Sequence, residues 1–204
     1  MNDPDDESRF FAVASLQRAH RQFTDAKVGD ALIEQIVAAA VRAPSAENQQ
    51  PWEFIVVEDP AARSTISELM EQAWKTGGQQ WSQARLEPSL FAEVESAMLG
   101  GFATAPILIV ACCDMLRAHP STAPSSMFPA LQNLFLAATA LGLGSALTTI
   151  ALRYDVELRE LLALPDHLAI IAVIPIGWPA RLLGKSRREP ARDHMHRDQF
   201  PTPW

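Results

Sequence analysis

Residues 43–57 read Ala43-Pro44-Ser45-Ala46-Glu47-Asn48-Gln49-Gln50-Pro51-Trp52-Glu53-Phe54-Ile55-Val56-Val57. The second part, 52–57, is rich in aromatic and β-branched residues and reads as a strand. The first part is a polar loop bracketed by Pro44 and Pro51. Just upstream, 30–42 places Ile33, Ile36, Val37, Ala40 and Val41 on one face, as an amphipathic helix does. Ala43-Pro44 ends that helix, because the residue before a proline is held out of the helical region. Helix, polar loop and strand in succession are a building unit of a layered α/β fold.

The same alternation extends outward from this stretch. Residues 10–20 can form a first helix. Downstream, 61–74 reads as a helix, 76–80 as a break and 87–99 as a further helix. Residues 107–113 form a continuous apolar run, typical of a strand buried on both faces. Cys112 and Cys113 are its last members. Neighbours on a strand point to opposite faces, so they read as strand residues and not as a disulfide, and a reducing cytoplasm suits them. Residues 118–152 contain no Asp, Glu, Lys or Arg. Within them, 129–141 reads as a buried central helix, with Pro129 in its first turn and Gly142 just past its end. That helix falls short of the ~20 residues a bilayer span needs, which excludes a membrane segment. Residues 145–152 return as a strand, 155–162 as a short helix and 168–176 as another buried strand.

The tail, 180–204, has little apolar periodicity and carries Arg181, Arg187, Arg188 and Arg192. Such a segment is either disordered or laid over something. The expected architecture is one domain over 1–204, with a single sheet, helices on both of its faces and 180–204 as an extended tail.

Composition narrows the function. The net charge is −7 and the pI near 5.2. No nucleic-acid partner is expected on this ground, since its affinity rests on neutralising phosphates. The start, Met1-Asn2-Asp3-Pro4-Asp5-Asp6-Glu7, is acidic and has no apolar run, unlike a signal or transit peptide. Gly142-Leu143-Gly144-Ser145 invites a dinucleotide reading, but these glycines close a helix and open a strand, the reverse of a Rossmann turn, and a helix C-cap is the better reading. His194-Met195-His196 has no further ligand at metal spacing, so no metal site is expected. His20, His119 and His167 are isolated and read as surface or capping residues. There is no G-x-S-x-G elbow and no P-loop. If the chain is an enzyme, an organic cofactor carries the chemistry.

Three features suit such a cofactor. Arg18-Ala19-His20-Arg21 and Lys185-Ser186-Arg187-Arg188 are basic clusters in an acidic chain. Each alone reads as solvated surface charge, yet arginine forks capture phosphate well. The 43–52 loop offers Ser, Asn and Gln groups, uncharged donors and acceptors that fit the polar edge of a flat heterocycle.

These residues resemble a known family. Ala43-Pro44-Ser45-x-x-Asn48-x-Gln50-Pro51-Trp52-x-Phe54 is similar to the most recognisable motif of the nitroreductase-like flavoproteins. Arg18-Ala19-x-Arg21-x-Phe23 resembles their N-terminal arginine motif. Pro129-Ala130-x-Gln132-Asn133-Leu134-x-Leu136-Ala137-Ala138 through Gly142-Leu143-Gly144 resembles their central helix and turn. Ile174-Pro175-Ile176-Gly177-Trp178-Pro179, Arg187-Arg188-x-Pro190 and His196-x-Asp198-x-Phe200 resemble their C-terminal end. Gln17 and Ala19 depart from the commonest form, which has arginine and serine there, and Glu189 stands between Arg188 and Pro190.

The resemblance implies an α/β (α+β) nitroreductase-like fold with a central mixed sheet, helices on both of its faces and a tail laid over a second copy of the chain. It implies FMN, a homodimer, and sites built from both subunits. Arg18, Ala19 and Arg21 would hold the phosphate and pyrimidine side of FMN, and Pro44, Ser45 and Asn48 the flavin. The backbone at Leu143, Gly144 and Ser145 would face its reactive N5. Arg187 or Arg188 would close on the phosphate. No side chain is expected to be catalytic, because hydride passes from NADH or NADPH to flavin N5 and on to a small acceptor such as a nitroaromatic or a quinone, by a ping-pong scheme. The substrate pocket is expected from 74–99 with Trp74 and Trp81, plus Met127 and Phe128. The alternatives are an ene-reductase, a dehalogenase or a flavin-fragmenting enzyme on the same fold, or a flavin- or deazaflavin-binding protein without turnover.

Overall fold

Strand β2 (Ile107–Asp114) runs through the middle of the structure, and its side chains divide the interior into two cores. The computed structural model describes residues 4–204, so 1–3 of the acidic N-terminal stretch lie outside the described residues. Successive strand residues face opposite sides. Ile107, Ile109, Ala111 and Cys113 join α2 (Asp30–Ala40) and α6 (Ala123–Ala140) in one core. Leu108, Val110 and Cys112 join α3 (Pro60–Ala73), α5 (Pro88–Met98) and α7 (Asp155–Leu162) in the other. The two thiols are free and lie in different cores, as their adjacency on a strand requires.

The sheet has the order β1-β2-β4-β3, with β1 Trp52–Val57, β4 Leu168–Gly177 and β3 Gly144–Ser145. Trp52 stands opposite Cys113, and Ile107 opposite Ile176. A bulge interrupts the β2–β4 register between Ala111 and Cys112. The family-like architecture of helices on both faces of one sheet is present. The sheet itself differs from the expected mixed one: the pairings between named strands are antiparallel, and among the described residues parallel pairing is confined to a single bridge between Ala19 and Ser145. The apolar runs owe their double-sided burial to helices on both faces, which does not depend on strand direction.

Several elements shift from their expected bounds. The first helix, α1, is Pro4–Leu16 and stops before the basic cluster. Asp59 caps α3 by accepting from the Ala62 N–H at 2.8 Å, with Pro60 in the first turn. The expected break at 76–80 is a π-helical turn, Trp74–Gly78, leading into α4 (Gln79–Gln83). Its departure from helical geometry falls at Thr76 and Gly77. The central helix begins at Ala123, six residues before Pro129, and Pro124 is the first-turn proline. Pro129 lies inside the helix and removes one backbone bond. Of the expected strand 145–152, β3 takes only Ser145. Thr148 still exchanges both backbone bonds with Val173, but Ile150–Tyr154 winds into a 3-10 turn.

Candidate functional site

The arginine segment is held by the edge of the sheet. After the last helical bond of α1, from Gln17 N–H to the Val13 carbonyl, the chain is extended. His20 N–H donates to the Ser145 carbonyl at 2.9 Å, Thr24 N–H to the Trp178 carbonyl at 2.9 Å, and Ala180 N–H to the Gln22 carbonyl at 3.0 Å. Residues 19–24 are thus bonded to β3 on one side and to the start of the tail on the other. Expected at the end of a helix, Arg18 to Arg21 lie instead on an extended segment, because these sheet bonds outweigh the helical propensity of Gln, Arg and Ala.

The turn after α6 sits against this segment. Leu143 N–H reaches the Ala138 carbonyl at 2.8 Å, Gly142 N–H reaches that of Thr139 at 3.1 Å, and Gly142 has φ +76°. This is a Schellman cap, as the helix-cap reading of these glycines expects. A Cβ on Gly144 would come within 2.9 Å of the His20 Cβ, so the turn and the arginine segment touch backbone to side chain. Leu143, Gly144, Ser145, Arg18, Ala19 and Arg21 are therefore one cluster.

The charge here is concentrated. Arg18 has no ion-pair partner among the described residues, and Arg21 has only Glu93, at 3.9 Å. Burial lowers the pKa of Arg21, Glu93 raises it, and Arg18 lowers it. Burial also lowers the pKa of His20, against a backbone bond with Arg18, and both arginines lower it further. Arg181 shares Glu93 at 3.4 Å. The tail returns to the same region: Ser186 N–H donates to the Ser15 carbonyl at 2.8 Å, three residues before Arg18. Arg187 and Arg188, both exposed, follow directly.

The 43–51 loop is built elsewhere. Glu47, Asn48 and Gln50 all have positive φ, between 50° and 56°, which costs free energy for residues other than glycine. Several bonds hold them there. Ser45 Oγ accepts from the Gln50 N–H at 3.0 Å, and the Ser45 carbonyl from the Asn48 N–H at 3.1 Å. Ala46 N–H donates to Ser126 Oγ at 3.1 Å, and Arg117 Nη1 to the Gln50 carbonyl at 3.3 Å. Asn48 Oδ1 accepts from Gln50 Nε2 at 3.3 Å, and Pro44 and Asn48 are exposed. Sequence reasoning missed Arg117 and Ser126. They sit 67 and 80 positions from their partners, and no local spacing marks them.

Within one chain the two clusters stay apart. Ser126 lies in the first turns of α6, and Leu143 caps its far end. Fifteen residues separate Ser126 from Leu141, about 22 Å at the helical rise of 1.5 Å per residue.

The expected pocket residues also divide. Trp74 and Trp81 line a cavity of about 490 Å³ beside Leu147 to Ile150. Trp74 packs its ring 5.9 Å from that of Phe91, whereas Trp81 is 61% exposed. Met127 is not a pocket residue of this chain: it is completely buried in the α2–α6 core, because it lies on the inward stripe of the longer helix. Phe128, next to it, points outward and is 48% exposed.

Among the described residues no group of three or more His, Cys, Asp or Glu could hold a metal ion. His194 instead pairs with Glu189 at 3.1 Å, and the His196 ring packs against Phe200. Nor is any helix of the described residues long and apolar enough to cross a membrane.

The chain is similar to known proteins over most of its length. The family model described as "Nitroreductase family" matches residues 17–178. A Methanothermobacter thermautotrophicus protein, provisionally named NADH dehydrogenase/NAD(P)H nitroreductase, is 31% identical over 89% of this chain and 83% of its own length. Mouse iodotyrosine deiodinase 1 is 28% identical over 84% of this chain and 62% of its own length. Among solved structures, oxidized iodotyrosine deiodinase bound to FMN and 3-iodo-L-tyrosine superposes with a TM-score of 0.73 at 24% identity, covering 89% of this chain and 95% of that one, a likeness of fold.

Proposed function

Since the chain belongs to the nitroreductase family, we propose that it is an FMN-dependent NAD(P)H oxidoreductase that reduces a small acceptor. The observation that carries this reading is the union of Arg18, Ala19 and Arg21 with the Leu143–Ser145 turn, where the tail brings Arg187 and Arg188 alongside.

The donor set fits FMN. Arg18, unpaired among the described residues, and the two exposed tail arginines are suited to a phosphate dianion. Arg21, largely buried, would place a positive group beside the pyrimidine edge, where it stabilises negative charge. Pro44, Ser45 and Asn48 present the uncharged polar groups of a strained, braced loop to the ring system. FMN, when bound, supplies hydride acceptance from NADH or NADPH and hydride delivery to the acceptor. The protein's part is then orientation, charge and exclusion of water, and no side chain is assigned as acid or base.

The separation along α6 supports a homodimer. In a two-fold pair with antiparallel α6 helices, the 43–51 loop of one chain would approach the arginine cluster of its partner. All 204 residues are read as one domain, with 180–204 as the tail laid over that partner. The free thiols fit a reducing, cytoplasmic setting.

Purified protein should be yellow and should bleach anaerobically with NADH or NADPH. A nitroaromatic or a quinone should restore the colour, and double-reciprocal plots should give parallel lines. Replacing both Arg187 and Arg188 by Ala should weaken FMN by about two orders of magnitude, as for lost charge-assisted bonds. Protein that takes up no flavin refutes the reading. The kinship with iodotyrosine deiodinase favours a second reading, reductive dehalogenation on the same frame. Halide release from a halophenol, without turnover of nitroaromatics, would select it.

A further inference from the structure

The cavity of about 490 Å³ on the α3–α5 side has a composition that selects its occupant. Apolar and aromatic groups form much of its wall, among them Trp74, Trp81, Val94 and Ile150. One lining residue is charged: Arg153, on the 3-10 turn after β3. Its guanidinium is exposed and has no ion-pair or hydrogen-bond partner among the described residues. Asp155, two residues on, is already engaged by Arg159. Trp74 is 1% exposed and gives the wall the apolar body of its ring, with its indole N–H enclosed by protein.

The backbone is shaped around these groups. The wall between Trp74 and Trp81 is the π-helical turn Trp74–Gly78, a distortion frequent at functional sites. Gly77, at φ +136°, lies beside Arg153, whose Nη1 is 3.4 Å from where a Cβ would stand. The Trp81 ring carries Arg85 at 4.3 Å and stays 61% exposed, a broad surface for a stacked ring. The cavity reaches Leu147, two residues beyond the Ser145 that pairs with the arginine segment.

We propose that this cavity takes a planar aromatic acid, stacked at Trp81, with its carboxylate held by the fork of Arg153. Arg153 is then the residue that sets a preference for acidic over neutral acceptors. The proposal rests on the oxidoreductase reading and adds the substrate class to it.

The test compares 4-nitrobenzoate with nitrobenzene as acceptors for the flavin-loaded protein, and follows binding of both to the same protein by quenching of tryptophan fluorescence. Arg153→Gln should lower the ratio of kcat/KM for 4-nitrobenzoate over nitrobenzene about tenfold, the scale of one charge-assisted contact at an exposed site. The dissociation constant of 4-nitrobenzoate should rise to match. Arg153→Lys should restore part of the ratio, since it keeps the charge and loses the fork. An unchanged ratio overturns the proposal. So does a rise in KM for NADPH but not NADH, which would assign Arg153 to a phosphate of the donor. Should the protein hold no flavin, the oxidoreductase reading fails by itself. The fluorescence titration then still decides the cavity: a tenfold weaker 4-nitrobenzoate in Arg153→Gln upholds it, and equal binding overturns it.

Discussion

Burial pushes the Cys112 thiol up to about 12, and it raises that of Cys113 as well, with Asp114 adding to it. The thiolate is the reactive form, so both sulfurs are protected twice, by inaccessibility and by protonation. Ellman's reagent should titrate no thiol in the native protein at pH 8 and two after unfolding; fast modification of the folded protein would contradict the two-core arrangement. Their place on a strand follows from adjacency inside an apolar run. Other single residues do not declare themselves in this way. Ser45 is legible as a polar loop residue, yet its hydroxyl braces the Gln50 N–H, and Arg117 and Ser126 complete the brace from distant elements. Such roles depend on contacts across dozens of positions, which propensity and spacing do not encode.

Among the elements, α6 matters most. One side of it packs Met127, Ala130, Leu131, Leu134 and Ala138 into the core, and its two ends carry the two halves of the candidate site. Leu134 has no exposed surface. Leu134→Ala should cost about 2–5 kcal/mol, the transfer loss plus the cavity left behind. Urea denaturation at a fixed protein concentration measures it, since dimerisation would make stability depend on concentration. A cost below about 1 kcal/mol would mean that the helix is not packed as described. The far end of this helix is readable because Gly142 is punctuation for a C-cap. Its start is not, since Pro124 and Pro129 are both acceptable first-turn prolines, and only packing against α2 decides how far the helix extends.

The whole molecule leaves one segment in want of a surface. Residues 191–204 are exposed throughout the single chain, and Leu182 and Phe200 are more than 80% exposed. Among the described residues the end is held by its own contacts, Arg197 N–H to the Thr202 carbonyl and the Arg197 guanidinium over Trp204. Exposed apolar side chains on a bonded segment mark a contact face. Deleting the residues after Pro190 should therefore cost dimer stability and FMN together, read by sedimentation and by absorbance at the flavin band. A truncated monomer that retains FMN would remove the shared-site arrangement.

The sequence by itself determined which segments are apolar, where turns fall, and which polar and basic blocks accompany them. That sufficed for the four strands' approximate places and the helices on both faces, because periodicity and turn chemistry are local properties of the chain; the family was legible in the resemblance of its motifs. The tertiary structure alone decided the antiparallel sheet, the end of α1 at Leu16, the shortening of β3, and the burial of Met127. It also decided that the loop and the arginine cluster stand at opposite ends of α6. Each of these is a choice between partners for the same backbone bonds or the same apolar face, and that competition is settled only when distant segments meet.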